Sequence, residues 1–402
     1  MEIDLRSSSS TRRGRFIKTK PSQKNSIDLI INGDSFIERN LEVINGATHF
    51  IMLHTYIFED DEVTTPVVNA LACAAERGVS VYVLLDAFGS QEFSDKARRS
   101  LIDSGVNFAY FTPIFHFYRL ARRMHQKVLI ADNTQCIIGG INLAKRFNSP
   151  TTESPWLDYS VFVQGEEVHN IYLKIVRHYL KYFSHKKDEL QSFKAYSHQV
   201  SDQVVIKTIE NDWGFRYREV TKSYYNAIET AQDEIVILAT YFLPGKRLLN
   251  LLQRAAKRGV KVTLIFSAMS DHAVVHACEE YFFKWYLKAG FEVFLWDQSM
   301  VHGKIALIDE NWTTVGSYNH NYLSKYGNCE INCEVINNAF RNTVKEELNR
   351  VISNSKKINI ADINKTFRYS QYLSFFLLNF MTLFSLIFLY RQSDEDKESI
   401  LR

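Results

Sequence analysis

The sequence predicts a duplicated α/β protein, in which strands alternate with helices in each of two halves packed about a pseudo-twofold axis. Three observations carry that expectation. The stretch MHQKVLIADNTQCIIGGIN at 124–142 returns as VHGKIALIDENWTTVGSYN at 301–319, with His, Lys, Asp, Gly and Asn at identical spacings. AAERGVSVYVLL at 74–85 returns as AAKRGVKVTLIF at 255–266, and HFIMLHTYIF at 49–58 is matched by EIVILATYFL at 234–243. A repeat of this length is a supersecondary unit used twice, and 402 residues are enough for two cores.

Each element has a local reason. A helix is expected around 35–44, then the strand at 49–58. A second helix carries Leu71 and Ala74 on its apolar face and stops at Gly78, a residue suited to the left-handed C′ position. Strands follow at 79–86 and 105–111, and a basic aromatic loop, HFYRLARR at 116–123, leads into the first motif. Within each motif a short apolar run, VLIA or IALI, is closed by Asp132 or Asp309 before a second apolar run, the pattern of strand, tight turn and strand. The second half repeats the order through AGFEVFLW at 289–296, and a helix is expected around 341–355. Gly105 precedes His125 by 20 residues, whereas Gly290 precedes His302 by 12, so the first half carries an insertion rich in Phe, Tyr and Arg.

The boundaries expected from composition are a Ser- and Arg-rich tail at 1–24, a first half at 25–183, a polar linker at 184–203 and a second half at 204–360. A hydrophobic helix at 366–392 follows, built on 19 uncharged residues at 372–390, just long enough for about 30 Å of hydrocarbon. The net charge of +3 conceals a surplus of five positive charges in the tail, which leaves the body at −2 and argues against a nucleic-acid-binding groove. The five Cys have no paired spacing, as in a reducing compartment, and no cleaved signal peptide is expected at the amino terminus.

On an extended chain, residues two apart share a face, which would put His125 with Lys127 and His302 with Lys304. Asn142 and Asn319 can re-enter the same point after the glycines, with Ser317 beside Asn319. This set suits a phosphoryl group: Lys supplies fixed charge, Asn and Ser neutral donors, and His a nucleophile or proton carrier. Asp132 and Asp309 sit at the turns and are expected to cap backbone amides.

The paired His-x-Lys-x4-Asp stretches resemble the signatures of the phospholipase D superfamily, and the chain to about residue 340 resembles its bacterial cardiolipin synthase branch. The resemblance implies phospholipase D-like halves with the active site between them and chemistry through a covalent phosphohistidine. His125 is then the nucleophile and His302 the acid/base, with no metal and no cofactor. It further implies an acid that orients each His. Glu330 in NCEIN, 28 residues after His302, and Asp158 in WLDYSVFVQG match the family's segments and are assigned that role. The implied activity is phosphatidyl transfer between phosphatidylglycerol and a second phospholipid, phosphatidylethanolamine being an alternative donor. A hydrolase is the first alternative and a nuclease of the superfamily the second. Two features depart from the branch: Gln126 stands where Arg is frequent, and paired amino-terminal membrane helices are missing.

The expected location is the cytoplasmic face of a bacterial inner membrane, held by the hydrophobic run at 372–390 and by the basic tail. One cluster imitates a metal site: His272 and His276 stand four apart, with Cys278, Glu279 and Glu280 close by. It has no third ligand at a recognised spacing and reads as an amphipathic helix.

Overall fold

A computed structural model describes residues 19–111, 122–148, 154–193, 200, 202–212 and 217–366. The tail to residue 18, residues 116–121 of the basic aromatic loop, residues 194–199 and 201 of the linker, and the hydrophobic run at 372–390 lie outside them.

The first half runs β1 (Asn25–Ile31), α1 (Asp34–Gly46), β2 (Phe50–Thr55), α2 (Thr65–Glu76), β3 (Ser80–Asp86), α3 (Asp95–Asp103), β4 (Asn107–Phe111), β5 (Val128–Ala131), β6 (Gln135–Gly139), α4 (Lys145–Asn148), β7 (Tyr159–Gly165) and α5 (Glu166–Tyr182). After α6 (Lys187–Ser192) come β8 (Val205–Asp212), β9 (Tyr217–Arg218), α7 (Glu219–Thr230), β10 (Glu234–Ala239), α8 (Lys246–Lys257), β11 (Lys261–Ser267), α9 (Ala273–Lys288) and β12 (Glu292–Trp296). The second half closes with β13 (Lys304–Ile308), β14 (Trp312–Gly316), α10 (Tyr322–Tyr326), β15 (Cys329–Ile336), α11 (Asn338–Ser353), β16 (Lys356–Lys357) and α12 (Ile360–Thr366).

The duplication is complete at the level of topology. One sheet has the order β1-β7-β6-β5-β2-β3-β4, and the other contains β8-β15-β14-β13-β10-β11-β12, flanked by β9 and β16. In both, three strands are parallel (β2, β3, β4 and β10, β11, β12), and the central strand turns to an antiparallel meander that carries the motif. The inner parallel strands β2, β3 and β11 are buried almost throughout, as expected for strands covered on both faces.

Three cores follow from this layering. Helices α1–α3 cover one face of the first sheet, and α7–α9 with α12 cover one face of the second. Between the sheets lies a shared core containing side chains of both, with Ile171 and Tyr179 of α5 and Val344 and Leu348 of α11. The expected linker begins as structure: Leu190 of α6 is buried, and Phe193 stacks on Phe50 at 3.9 Å.

The motif turns are stapled by their own acids. Asp132 and Asp309 adopt left-handed backbone, φ 53° and 49°. The Asp132 carboxylate accepts from the backbone N–H groups of Thr48, His49 and Phe50, each at 2.8 Å. Asp309 does the same for Gln232, Asp233 and Glu234 at 2.9–3.0 Å. Each therefore locks the start of the parallel strand beside its motif strand. Asp132→Ala removes four charge-assisted bonds, the three from N–H groups and one from the Thr48 hydroxyl at 2.9 Å, and an unfolding measurement should show a loss of about 2–4 kcal/mol with little change in KM.

Candidate active site

The motif histidines lie just ahead of their strands. The β5 ladder begins at Val128 and that of β13 at Lys304, so the strand expected to include both His and Lys starts later. Each segment pairs with the opposite half instead. The His125 N–H donates to the Cys329 carbonyl at 3.0 Å, and the His302 N–H to the Leu157 carbonyl at 2.8 Å. These reciprocal bridges, Met124 with Cys329 and Leu157 with Val301, fasten the two halves at the motifs.

That junction crosses the orienting acids. His125 Nδ1 lies 2.9 Å from Glu330 Oε2, and His302 Nδ1 lies 2.5 Å from Asp158 Oδ2. Each acid thus holds the histidine of the other half, leaving Nε2 as the ring nitrogen for chemistry. The two carboxylates differ in support. Glu330 also accepts from the Ser317 and Ser324 hydroxyls, both at 2.6 Å, and from Asn328 Nδ2 at 3.1 Å. Asp158 receives the Tyr159 N–H at 2.7 Å. At the position equivalent to Ser317 stands Gly140, where a Cβ would come within 2.3 Å of Asp158 Oδ1, so the glycine makes room for this carboxylate. Ser317 was expected to face phosphate; its hydroxyl is engaged with Glu330 and also accepts from the Ile331 N–H at 3.0 Å.

The lysines converge on the same point. His125, Lys127, His302 and Lys304 are 7%, 4%, 5% and 2% exposed, so four basic groups share an enclosed space. Lys127 Nζ donates to the His125 carbonyl at 2.7 Å, and Lys304 Nζ to the His302 carbonyl. Burial and the neighbouring Lys304 lower Lys127 to about 7, and burial lowers Lys304 to about 8. Burial also pushes His302 well below its ordinary value, aided by Lys304, Lys127 and His125, and lowers His125 despite Glu330. Asp158 is raised by burial to about 6. Burial acts upward on Glu330 too, but His125, Lys127 and Ser317 outweigh it and hold this carboxyl below its ordinary value. Basic groups crowded in this way gain from a bound anion, which favours their charged forms.

Asn142 and Asn319 are buried beside the motifs. Asn142 Oδ1 accepts from the Ile57 N–H at 3.2 Å, and Asn319 Oδ1 has no partner among the described residues. Gln126, where the branch frequently has Arg, is fully buried, with its Nε2 3.4 Å from the Glu330 carbonyl.

Sequence reasoning missed the residues that aim the motifs. Asp86 ends β3 and accepts the Met124 N–H at 2.9 Å, while Ser267 ends β11 and accepts the Val301 N–H at 3.0 Å. Each fixes the residue before a motif histidine, and their equivalent places at the ends of repeated strands were the available signal. Aromatic rings complete the walls: Tyr56 lies 5.0 Å from His125, and Phe147 and Trp156 lie 5.0 and 6.0 Å from His302.

In the His272–Glu280 stretch the side chains pair locally. Glu279 accepts the Phe242 N–H at 2.7 Å, and His276 lies 3.8 Å from Glu279 and 3.7 Å from Glu280. Among the described residues, His178, Asp212 and Cys329 bring possible metal-ligand atoms within 4.8 Å of one another. There Asp212 is already engaged by Arg122 and Arg177, at 2.7 and 3.4 Å.

The chain is similar to known proteins over most of its length. The family model "Cardiolipin synthase, PLD-like domain" matches residues 41–186 and 224–352. The chain is 32% identical over 337 residues to cardiolipin synthase B of Salmonella typhimurium, spanning 83% of this chain and 82% of that one. It is 30% identical over 333 residues to cardiolipin synthase B of Escherichia coli K12, spanning 82% and 81%. In fold it resembles the phosphatidylserine synthase of Haemophilus influenzae, with a TM-score of 0.67 at 14% identity over 84% of this chain and 89% of that one. The chain therefore belongs to the phospholipase D-like domain family of the cardiolipin synthases.

Proposed function

We propose that this enzyme is a phosphatidyltransferase that joins two phospholipids into cardiolipin through a covalent phosphohistidine. The observation that carries the reading is the convergence of two His–Lys pairs, each His held at Nδ1 by an acid of the opposite half. His125 Nε2 attacks phosphorus, and the bond to the headgroup oxygen breaks. His302 gives its proton to the departing alcohol, which is glycerol when phosphatidylglycerol is the donor. The hydroxyl of a second phosphatidylglycerol then loses its proton to His302 and attacks phosphorus. The P–N bond breaks and His125 is restored. Lys127, Lys304, Asn142 and Asn319 stabilise the non-bridging oxygens.

The allocation of roles follows the asymmetry of the acids. Glu330, with its four donors and lowered pKa, stays charged and supports positive charge on a phosphorylated His125. Burial and two lysines disfavour charge on a free His302; the phosphate anion bound between the motifs offsets those lysines, so His302 holds the proton it gives up only while substrate is bound.

Relatives named cardiolipin synthase support a phospholipid substrate, and a place on the cytoplasmic face of a bacterial inner membrane is proposed with it. Among the described residues no helix is long and apolar enough to cross a membrane. The run at 372–390 is proposed as the attachment, together with the basic tail.

The test is a product assay with labelled phosphatidylglycerol in mixed vesicles, alone and with phosphatidylethanolamine. Cardiolipin is the expected product. Phosphatidic acid alone would reassign the enzyme to hydrolysis, and the lack of any lipid product would send attention to nucleic acid.

The pH profile should be bell-shaped. Asp158 must be ionised to accept from His302, so kcat/KM falls as pH drops through about 6. Lys127 and Lys304 must be charged to bind phosphate, so it falls again as pH rises through about 7 to about 8. Bound phosphate favours the charged lysines, so the alkaline limb of kcat should lie higher than that of kcat/KM.

A further inference from the structure

We propose that a cation–tyrosine pocket beside the second motif holds the phosphate of the acceptor phospholipid. The inference rests on the transfer reading above. If the attacking hydroxyl sits on a glycerol whose other end carries the lipid's own phosphate, a second anion must rest next to the paired motifs, not at them.

The pocket is lined by Tyr225 of α7, Gly245 at the start of α8, His320, Asn321, Tyr322 and Lys325. Three cations gather here on two tyrosine rings. Arg247 lies 4.9 Å from the Tyr225 ring, and Arg218 lies 4.7 Å from the Tyr326 ring. Lys325 lies 5.5 and 4.9 Å from the two rings, and its Nζ donates to the Tyr225 hydroxyl at 3.1 Å. Among the described residues none of the three has a carboxylate within ion-pair distance. The stem of α8 also begins at the pocket, and its N-terminal dipole favours an anion.

Two comparisons make this more than a surface patch. The segment after Asn142 in the first half also carries cations, but Lys145 is paired with Glu62 and Arg146 with Glu59. In the second half the segment after Asn319 carries Lys325, which has no acid within ion-pair distance among the described residues, in a body that is slightly acidic outside the tail. The pocket is also joined to the site through one short helix. Ser324 of α10 donates to Glu330, which holds His125, and the next residue is Lys325. Tyr318, His320 and Asn321 of the lining flank Asn319.

The test uses full-length protein in vesicles of labelled phosphatidylglycerol with ethanol as a competing acceptor that carries no phosphate. Cardiolipin, phosphatidylethanol and phosphatidic acid are then measured together. Lys325→Gln with Arg247→Gln should lower the cardiolipin-to-phosphatidylethanol ratio at least tenfold, with phosphatidylethanol formation within twofold of wild type. Lys246→Gln, an exposed cation on the same helix, should leave the ratio unchanged. An unchanged ratio in the double variant, or an equal fall of all three products, would overturn the acceptor site while leaving phosphatidyl transfer intact. Failure of the wild type to form any transfer product would instead overturn the transfer reading on which it rests.

Discussion

His125→Ala and His302→Ala are each expected to lower phosphatidyl transfer by about ten-thousand-fold or more, with folding retained. The magnitude follows from the arrangement, since each histidine is held by a buried acid. The two variants should differ once protonation of the leaving group is made unnecessary. With a phosphatidyl donor whose leaving group is p-nitrophenolate, His302→Ala should recover a burst of nitrophenolate, because His125 still attacks. His125→Ala should show none. A burst from His125→Ala would reverse the two roles. Thermal unfolding alongside separates lost chemistry from lost structure.

Glu330→Gln and Asp158→Asn should each lower kcat by about a thousandfold to ten-thousandfold, with much smaller effects on KM. The amides keep the size of the side chain but remove the charge that fixes the imidazole tautomer. The crossing of acids between halves adds a sharper expectation. In a double-mutant cycle, Glu330→Gln should add little to His125→Ala, because both disable one unit. Combined with His302→Ala it should produce a further loss in the nitrophenolate burst. The reverse pattern would mean that each acid serves the histidine of its own half.

Much of this was legible because repetition exposes constraint. The motif, its turn and the parallel strands were all readable from polar positions that recur at fixed spacing, and Gly78 marked the end of α2 through its left-handed backbone, φ 90°. The crossed pairing was hidden, because it depends on how the halves dock. Glu330 follows His302 in the chain, yet its carboxylate reaches His125, 205 residues away. Asp86 and Ser267 were overlooked for a different reason, although they stand at equivalent ends of repeated strands. At the end of a strand either reads as an ordinary turn residue, and only the backbone N–H groups of Met124 and Val301 reveal what they hold. Ser317 shows a further job for a hydroxyl beside a phosphate motif, since it donates to the acid that holds His125.

The proposed mechanism carries a phosphatidyl group on one histidine at the junction of the two halves. The most direct measurement is mass spectrometry of His302→Ala quenched under alkaline conditions after exposure to the p-nitrophenolate donor, with peptides spanning both motifs resolved. A phosphatidyl adduct on His125, missing from the His125→Ala control, is the expected result. An adduct on the peptide carrying Lys304, or burst turnover with no adduct on either motif, would contradict it.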